Sequence, residues 1–104
     1  MTMRSVEEAS ALAPGKSALG NGKKLAKAEK WKRLGREGDA VWGVAVGSKG
    51  DHYAVHVKAG GAEALRCSCP SRQRPCKHAL GLALLEAQGH EFTEQALPAG
   101  HRYG

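Results

Sequence analysis

Apolar and polar positions alternate with a helical period, then a strand period, then a helical period again. Ser5-Val-Glu-Glu8 has the form of a capping box, in which the serine accepts from the third helical amide and the glutamate returns to the cap. It predicts a short helix that ends before Pro14. Lys16 to Lys30 is a second, weaker helix, interrupted by Gly20, Asn21 and Gly22. If Lys23 to Lys30 is helical, Lys23, Lys27 and Lys30 share one face, opposite Leu25 and Ala28. From Val41 the period becomes two. Trp42, Val44 and Val46 point one way, Gly47 to Asp51 supplies a turn, and Tyr53, Val55 and Val57 resume the alternation. This predicts a hairpin with one apolar face. A turn at Ala59-Gly-Gly-Ala62 leads into a third strand running from Glu63 through Cys67 and Cys69. Lys77 to Gln88 reads as a helix, apolar nearly all round, that Gly89 terminates.

The resulting expectation is a small α+β domain: short N-terminal helices, a three-stranded antiparallel meander, a metal knuckle and a C-terminal helix (βββα). Its parts would be a basic helical extension over residues 1–36, the metal-binding finger over 37–89, and a loosely ordered tail over 90–104.

Composition narrows the picture. The 104 residues allow one domain, and aromatics make up only 5% of them, so the core is thin. A bound metal is a common supplement in that case. Met1 to Ser10 carries Glu7 and Glu8 and lacks the apolar run of a secretory leader. No stretch reaches the roughly 20 apolar residues of a membrane span. A cytoplasmic protein with reduced thiols is expected, with no membrane partner. Three cysteines, an odd number, argue against a disulfide framework.

All three cysteines lie in Cys67-Ser-Cys69-Pro-Ser-Arg-Gln-Arg-Pro-Cys76-Lys-His78. Three thiolates and one imidazole make a standard closed zinc set. Cys67 and Cys69, two apart on a strand, face the same side. Cys76 and His78 cannot both lie mid-helix, where positions two apart diverge by about 200°. Cys76 should cap the last helix and His78 should sit in its first turn, where amide dipoles also favour a thiolate. An iron–sulfur cluster is the chemical rival, but the Cys76-x-His78 spacing differs from that of the CDGSH type. One structural Zn2+ is the expected cofactor. His52 and His56 lie about 13 Å apart along their strand, too far to chelate one ion. They are expected on its solvent side, with His90 and His101 in the tail.

These residues resemble the SWIM zinc finger, whose pattern is Cys-x-Cys, a variable spacer and Cys-x-His. Trp31 through Gly35, Trp42-Gly43, Gly47-Ser48, Tyr53, Cys67-Ser-Cys-Pro-Ser71, Pro75-Cys-Lys-His78 and Ala79-Leu-Gly-Leu82 are similar to its bacterial branch. The likeness runs over about residues 12 to 88. Gly15 stands where aspartate is usual. What the resemblance implies is a short antiparallel sheet followed by a helix, zinc binding at the four matched positions, and DNA or protein binding.

The net charge of +6 favours an anionic partner. Lys23, Lys24, Lys27 and Lys30 form one basic group, and Arg66, Arg72, Arg74 and Lys77 surround the cysteines. The first reading is a nucleic-acid-binding module, DNA foremost, that contacts phosphates through Lys23, Lys24, Lys27, Lys30, Arg72, Arg74 and Lys77. The helix after His78 has no polar side chain before Glu86, so base reading by it is not expected. Alternatively, Arg66, Arg72, Arg74 and Lys77 steady the thiolate cluster. The second reading is a protein-interaction module that docks through the apolar helix 77–88. Enzyme readings fail. Gly15-Lys16-Ser17 imitates the end of a P-loop, but Ser10 holds the place of its first glycine. Gly20-Asn-Gly22 lacks the third glycine of a dinucleotide fingerprint. Four protein ligands leave a zinc ion no open position, and no small-molecule substrate is expected.

Overall fold

Ser5 caps the first helix as its sequence predicts. In the computed structural model, which describes residues 5–47, 49–69 and 75–98, the Glu8 amide donates to the Ser5 hydroxyl at 3.1 Å. The Ser5 amide donates to the Glu8 carboxylate at 2.9 Å. Helix α1 follows over Val6–Ala11, helix α2 over Lys16–Leu25 and helix α3 over Lys77–Ala87.

Helix α2 runs unbroken through Gly20, Asn21 and Gly22 because tertiary packing overrides propensity. A Cβ on Gly22 would lie 3.1 Å from the Leu80 side chain, and one on Gly81 would lie 2.7 Å from the Leu25 Cβ. The two glycines let α2 and α3 approach more closely than side chains would permit. Helix α2 stops at Leu25, short of the expected Lys30. Lys27 is extended at φ −140° and only a single 3-10 turn, Ala28–Lys30, follows. Lys23, Lys27 and Lys30 therefore do not share a helical face. The chain turns here to bring Trp31 into the sheet, where its indole Nε1 donates to the Leu25 carbonyl at 2.7 Å.

Among the described residues the sheet has four antiparallel strands in chain order: β1 Trp31–Glu37, β2 Ala40–Val46, β3 His52–Val57 and β4 Leu65–Cys67. This corrects the expected three. The added strand, β1, begins within the stretch read as helical extension. A one-residue irregularity between Trp31 and Arg33 breaks its alternation, and Lys32, Arg33 and Arg36 give it the charge of an edge strand.

Pairing also settles which face is the core. Val41 lies opposite Val57, Gly43 opposite Val55 and Ala45 opposite Tyr53. Val41, Ala45, Val55 and Val57 join the α3 leucines in one buried cluster. The phase expected for β3 holds, but that of β2 is off by one residue. Trp42, Val44 and Val46 lie on the outer face with His56, Ala54 and His52. Trp42 is nonetheless fully buried. Its ring crowds the Gly35 backbone so closely that a Cβ there would fall 2.5 Å away, and the Arg33 guanidinium lies 5.9 Å from the ring centre. Its Nε1 donates to the Gln95 carbonyl at 2.9 Å. His56 is buried beside it, contrary to the expected solvent-side position, whereas His52 is exposed.

Hydrogen bonds tie part of the stretch expected to be loose onto β1. The Arg36 amide donates to the Thr93 carbonyl at 2.9 Å, and the Gln95 amide to the Arg36 carbonyl at 2.7 Å. The Leu97 amide donates to the Glu37 carboxylate at 2.7 Å.

Helix α3 packs against β2, β3 and β4 and also against α1 and α2. Every residue from His78 to Glu86 is buried. An apolar docking face on helix 77–88 is thus overturned, because sheet and helices cover its leucines between them. Glu86 is the one carboxylate among these residues, and it meets Arg36 at 3.3 Å. The helix ends as predicted. Gly89 takes φ +92°, its amide donates to Glu86 and the His90 amide to Leu85, which is the paired closure of a Schellman motif.

Candidate metal centre

Two short structures aim the four donors. Cys67 closes β4 opposite Val55, on the face that meets α3. Pairing continues one residue further, since the Ser68 amide donates to the Ala54 carbonyl and the Ala54 amide donates to the Ser68 hydroxyl, both at 2.9 Å. These bonds fix the Cys67-x-Cys69 leg. On the other leg Cys76 is the N-cap of α3, extended at φ −77°, ψ 171°. Its carbonyl accepts from Leu80 at 3.0 Å. His78 falls in the first turn.

The thiol sulfurs of Cys67, Cys69 and Cys76 and a ring nitrogen of His78 all lie within 4.8 Å of one another. A tetrahedral zinc site places such donors about 3.6–3.8 Å apart, so a closure of about 1 Å completes it. The His78 Nδ1 lies 3.9 Å from the Cys76 sulfur. The Cys69 amide donates to the Cys67 sulfur at 3.5 Å. All three cysteines are free thiols. Cys67, Cys76 and His78 are buried and Cys69 is half-buried. Soft sulfur with one imidazole, nearly closed to water, fits one structural zinc ion.

The protein's own atoms already favour a thiolate at one position. Hydrogen bonding from Cys67 draws the Cys76 thiol down to about 3, against burial, with further help from His78 and the Ala79 amide. Cys67 moves the opposite way, because donating to Cys76 and burial both hold its proton. A thiol whose folded value is depressed contributes stability above its unfolded value, and that contribution is lost as pH falls through the folded value. Protons also compete directly with the metal for sulfur and imidazole. Acidification from neutral pH is therefore expected to release zinc and unfold the protein together. Zinc-indicator absorbance and tryptophan fluorescence would report both, and fluorescence that changes well before zinc appears would separate the two events.

Tyr53, which no ligand spacing marks, also borders the site. Its ring packs on His78 at 5.2 Å between centroids. The signal was present, since Tyr53 is in phase with Val55, the partner of Cys67. His52, His56 and His90 lie outside the cluster.

Of the candidate phosphate contacts, Lys23, Lys24, Lys27, Lys30 and Lys77 are exposed. Arg72 and Arg74 lie outside the described residues. Lys24 and Lys77, far apart in sequence, line one cleft beside His78. Lys23, Lys27 and Lys30 do not line it. Among the described residues no helix is long and apolar enough to cross a membrane.

Residues 53–86 match the family model of the SWIM zinc finger, a span that begins at Tyr53 and contains all four donors. No curated protein and no solved structure matches the chain.

Proposed function

We propose, from the premise that residues 53–86 are a SWIM zinc finger, that the chain is a structural-zinc module that binds nucleic acid through its phosphates. The observation that carries this reading is the convergence of Cys67, Cys69, Cys76 and His78 from the end of β4 and the start of α3. In this reading those four residues hold one Zn2+, which supplies folding energy. Four protein donors complete a tetrahedron and leave the metal no open position, which supports a structural role for the site and a non-enzymatic reading of the chain. Reduced thiols fit a cytoplasmic setting.

The net charge of +6 and the exposed lysines of α2 and α3 support the nucleic-acid partner. In this division of labour residues 37–89 carry the metal, residues 1–36 supply most of the charge, and residues 90–104 form the tail. Because α3 is buried from His78 to Glu86, those residues offer a groove no side chain to read bases with. Affinity would then depend little on sequence and steeply on salt.

Titrating duplexes of unrelated sequence at several salt concentrations tests this. Affinities that agree between duplexes and fall with a slope near −0.9 per phosphate neutralised are expected. Absence of binding at low salt would refute the nucleic-acid assignment and leave the metal assignment standing.

A further inference from the structure

One lysine from each basic group, Lys24 and Lys77, about fifty residues apart in sequence, meets the other at one place. A cleft of about 170 Å³ opens between the last turns of α2, the end of β2 and the start of α3. Lys24 and Lys77 line it, each from a different helix, together with the Asn21 amide and the His78 ring. Leu25 and Val46 form apolar walls. Among the described residues no carboxylate lines it.

Three features of this cleft select the same ligand. The first is its two ammonium groups, which are exposed and bring positive charge from two sides. The second is its position at the N-terminus of α3, an 11-residue helix whose first-turn amides, apart from that of Ala79, which is directed at the Cys76 sulfur, have no partner within the helix. The third is His78 itself, which is 6% exposed and lines the cleft. Its Nδ1 is turned to the Cys76 sulfur, and among the described residues no hydrogen bond is made by Nε2. An imidazole held at Nδ1 by a metal carries its proton on Nε2 and seeks an acceptor there. Tetrahedral oxyanions accept from ammonium, amide and imidazole donors at once.

We infer that this cleft is a phosphate-binding subsite, built from Lys24, Lys77, Asn21 and the His78 ring, that receives one phosphodiester of a nucleic-acid backbone. The inference rests on the proposed function and narrows it to one contact. It also makes His78 common to the two sites, since it is one of the four candidate metal donors and lines the cleft.

The test uses the full zinc-loaded chain. A Lys24→Gln/Lys77→Gln variant is compared with Lys16→Gln/Lys32→Gln, which removes the same charge from exposed positions outside the cleft. Losing one phosphate contact lowers the salt slope by about 0.9 and weakens duplex binding about eightfold near 0.1 M salt. That loss is expected for the cleft pair and a smaller one for the control pair. Equal losses from both pairs would overturn the inference, because bulk charge alone would then explain binding. A fall in zinc content confined to the cleft pair would also overturn it, since the lysines would then serve the thiolates. Inorganic phosphate gives an independent arm, read by amide NMR shifts of the wild-type protein. Shifts centred on Asn21, Lys77 and His78 support the subsite, and their absence overturns it. If duplexes do not bind but phosphate shifts those amides, the proposed function fails and the phosphate subsite remains.

Discussion

Stripping the metal with excess chelator under reducing conditions is expected to unfold at least β4 and α3, and to destabilise what packs on them. Structural zinc in small fingers contributes apparent free energies of roughly 10–16 kcal/mol. Domains near this size are stable by only about 5–15 kcal/mol in total. The metal term is thus as large as the whole. Its loss acts at a sensitive place, because the Cys76–His78 end of α3 is the start of the helix on which every layer rests. β2, β3, β4, α1 and α2 all pack on α3. The strand that carries Cys67 is only three residues long and relies on its neighbours. Far-UV circular dichroism before chelation, after chelation and after zinc is restored would follow the cycle. A thermal midpoint that does not move on chelation would contradict a folding role for the metal.

The elements most legible in the sequence were those governed by local rules. Cys67-x-Cys69 and Cys76-x-His78 revealed their ligand geometry because strand and helix periods restrict which spacings can converge. The cap assigned to Cys76 and the stop assigned to Gly89 followed from the same local rules. Positions that depend on non-local partners were hidden. Nothing near Gly22 and Gly81 announces that each makes room for the other helix. β1 escaped because its irregularity puts Trp31 and Leu34 on one face, both against Gly43, where a Cβ would meet them at 2.8 and 3.0 Å. Trp42 misled for a related reason. A large aromatic in a strand reads as core, yet the ring is buried on the outer face by Gly35, Arg33 and the chain around Gln95. His56 is buried beside it in consequence, where alternation alone placed it in solvent.

Leu82→Asp is expected to abolish the fold, and this outcome decides what α3 is for. An all-round apolar helix has two explanations, an unpaired face awaiting a partner or a core element enclosed on all sides. Leu80 and Leu82 are fully buried, while Leu84 and Leu85 are 1% and 4% exposed. Truncating such a leucine to alanine typically costs 2–5 kcal/mol, and a carboxylate adds the penalty of burying charge without a partner. The total approaches the stability of the domain itself. Leu82→Ala provides the graded case, with a lowered denaturation midpoint and a retained zinc content, so that loss of fold in the aspartate variant is traced to α3 packing. Lys77→Glu, at an exposed position in the first turn of the same helix, is expected to leave more of the stability intact. A folded, zinc-loaded Leu82→Asp protein that had merely lost an association would return α3 to the surface, and with it the docking role that the packing of α1, α2 and the sheet now denies it.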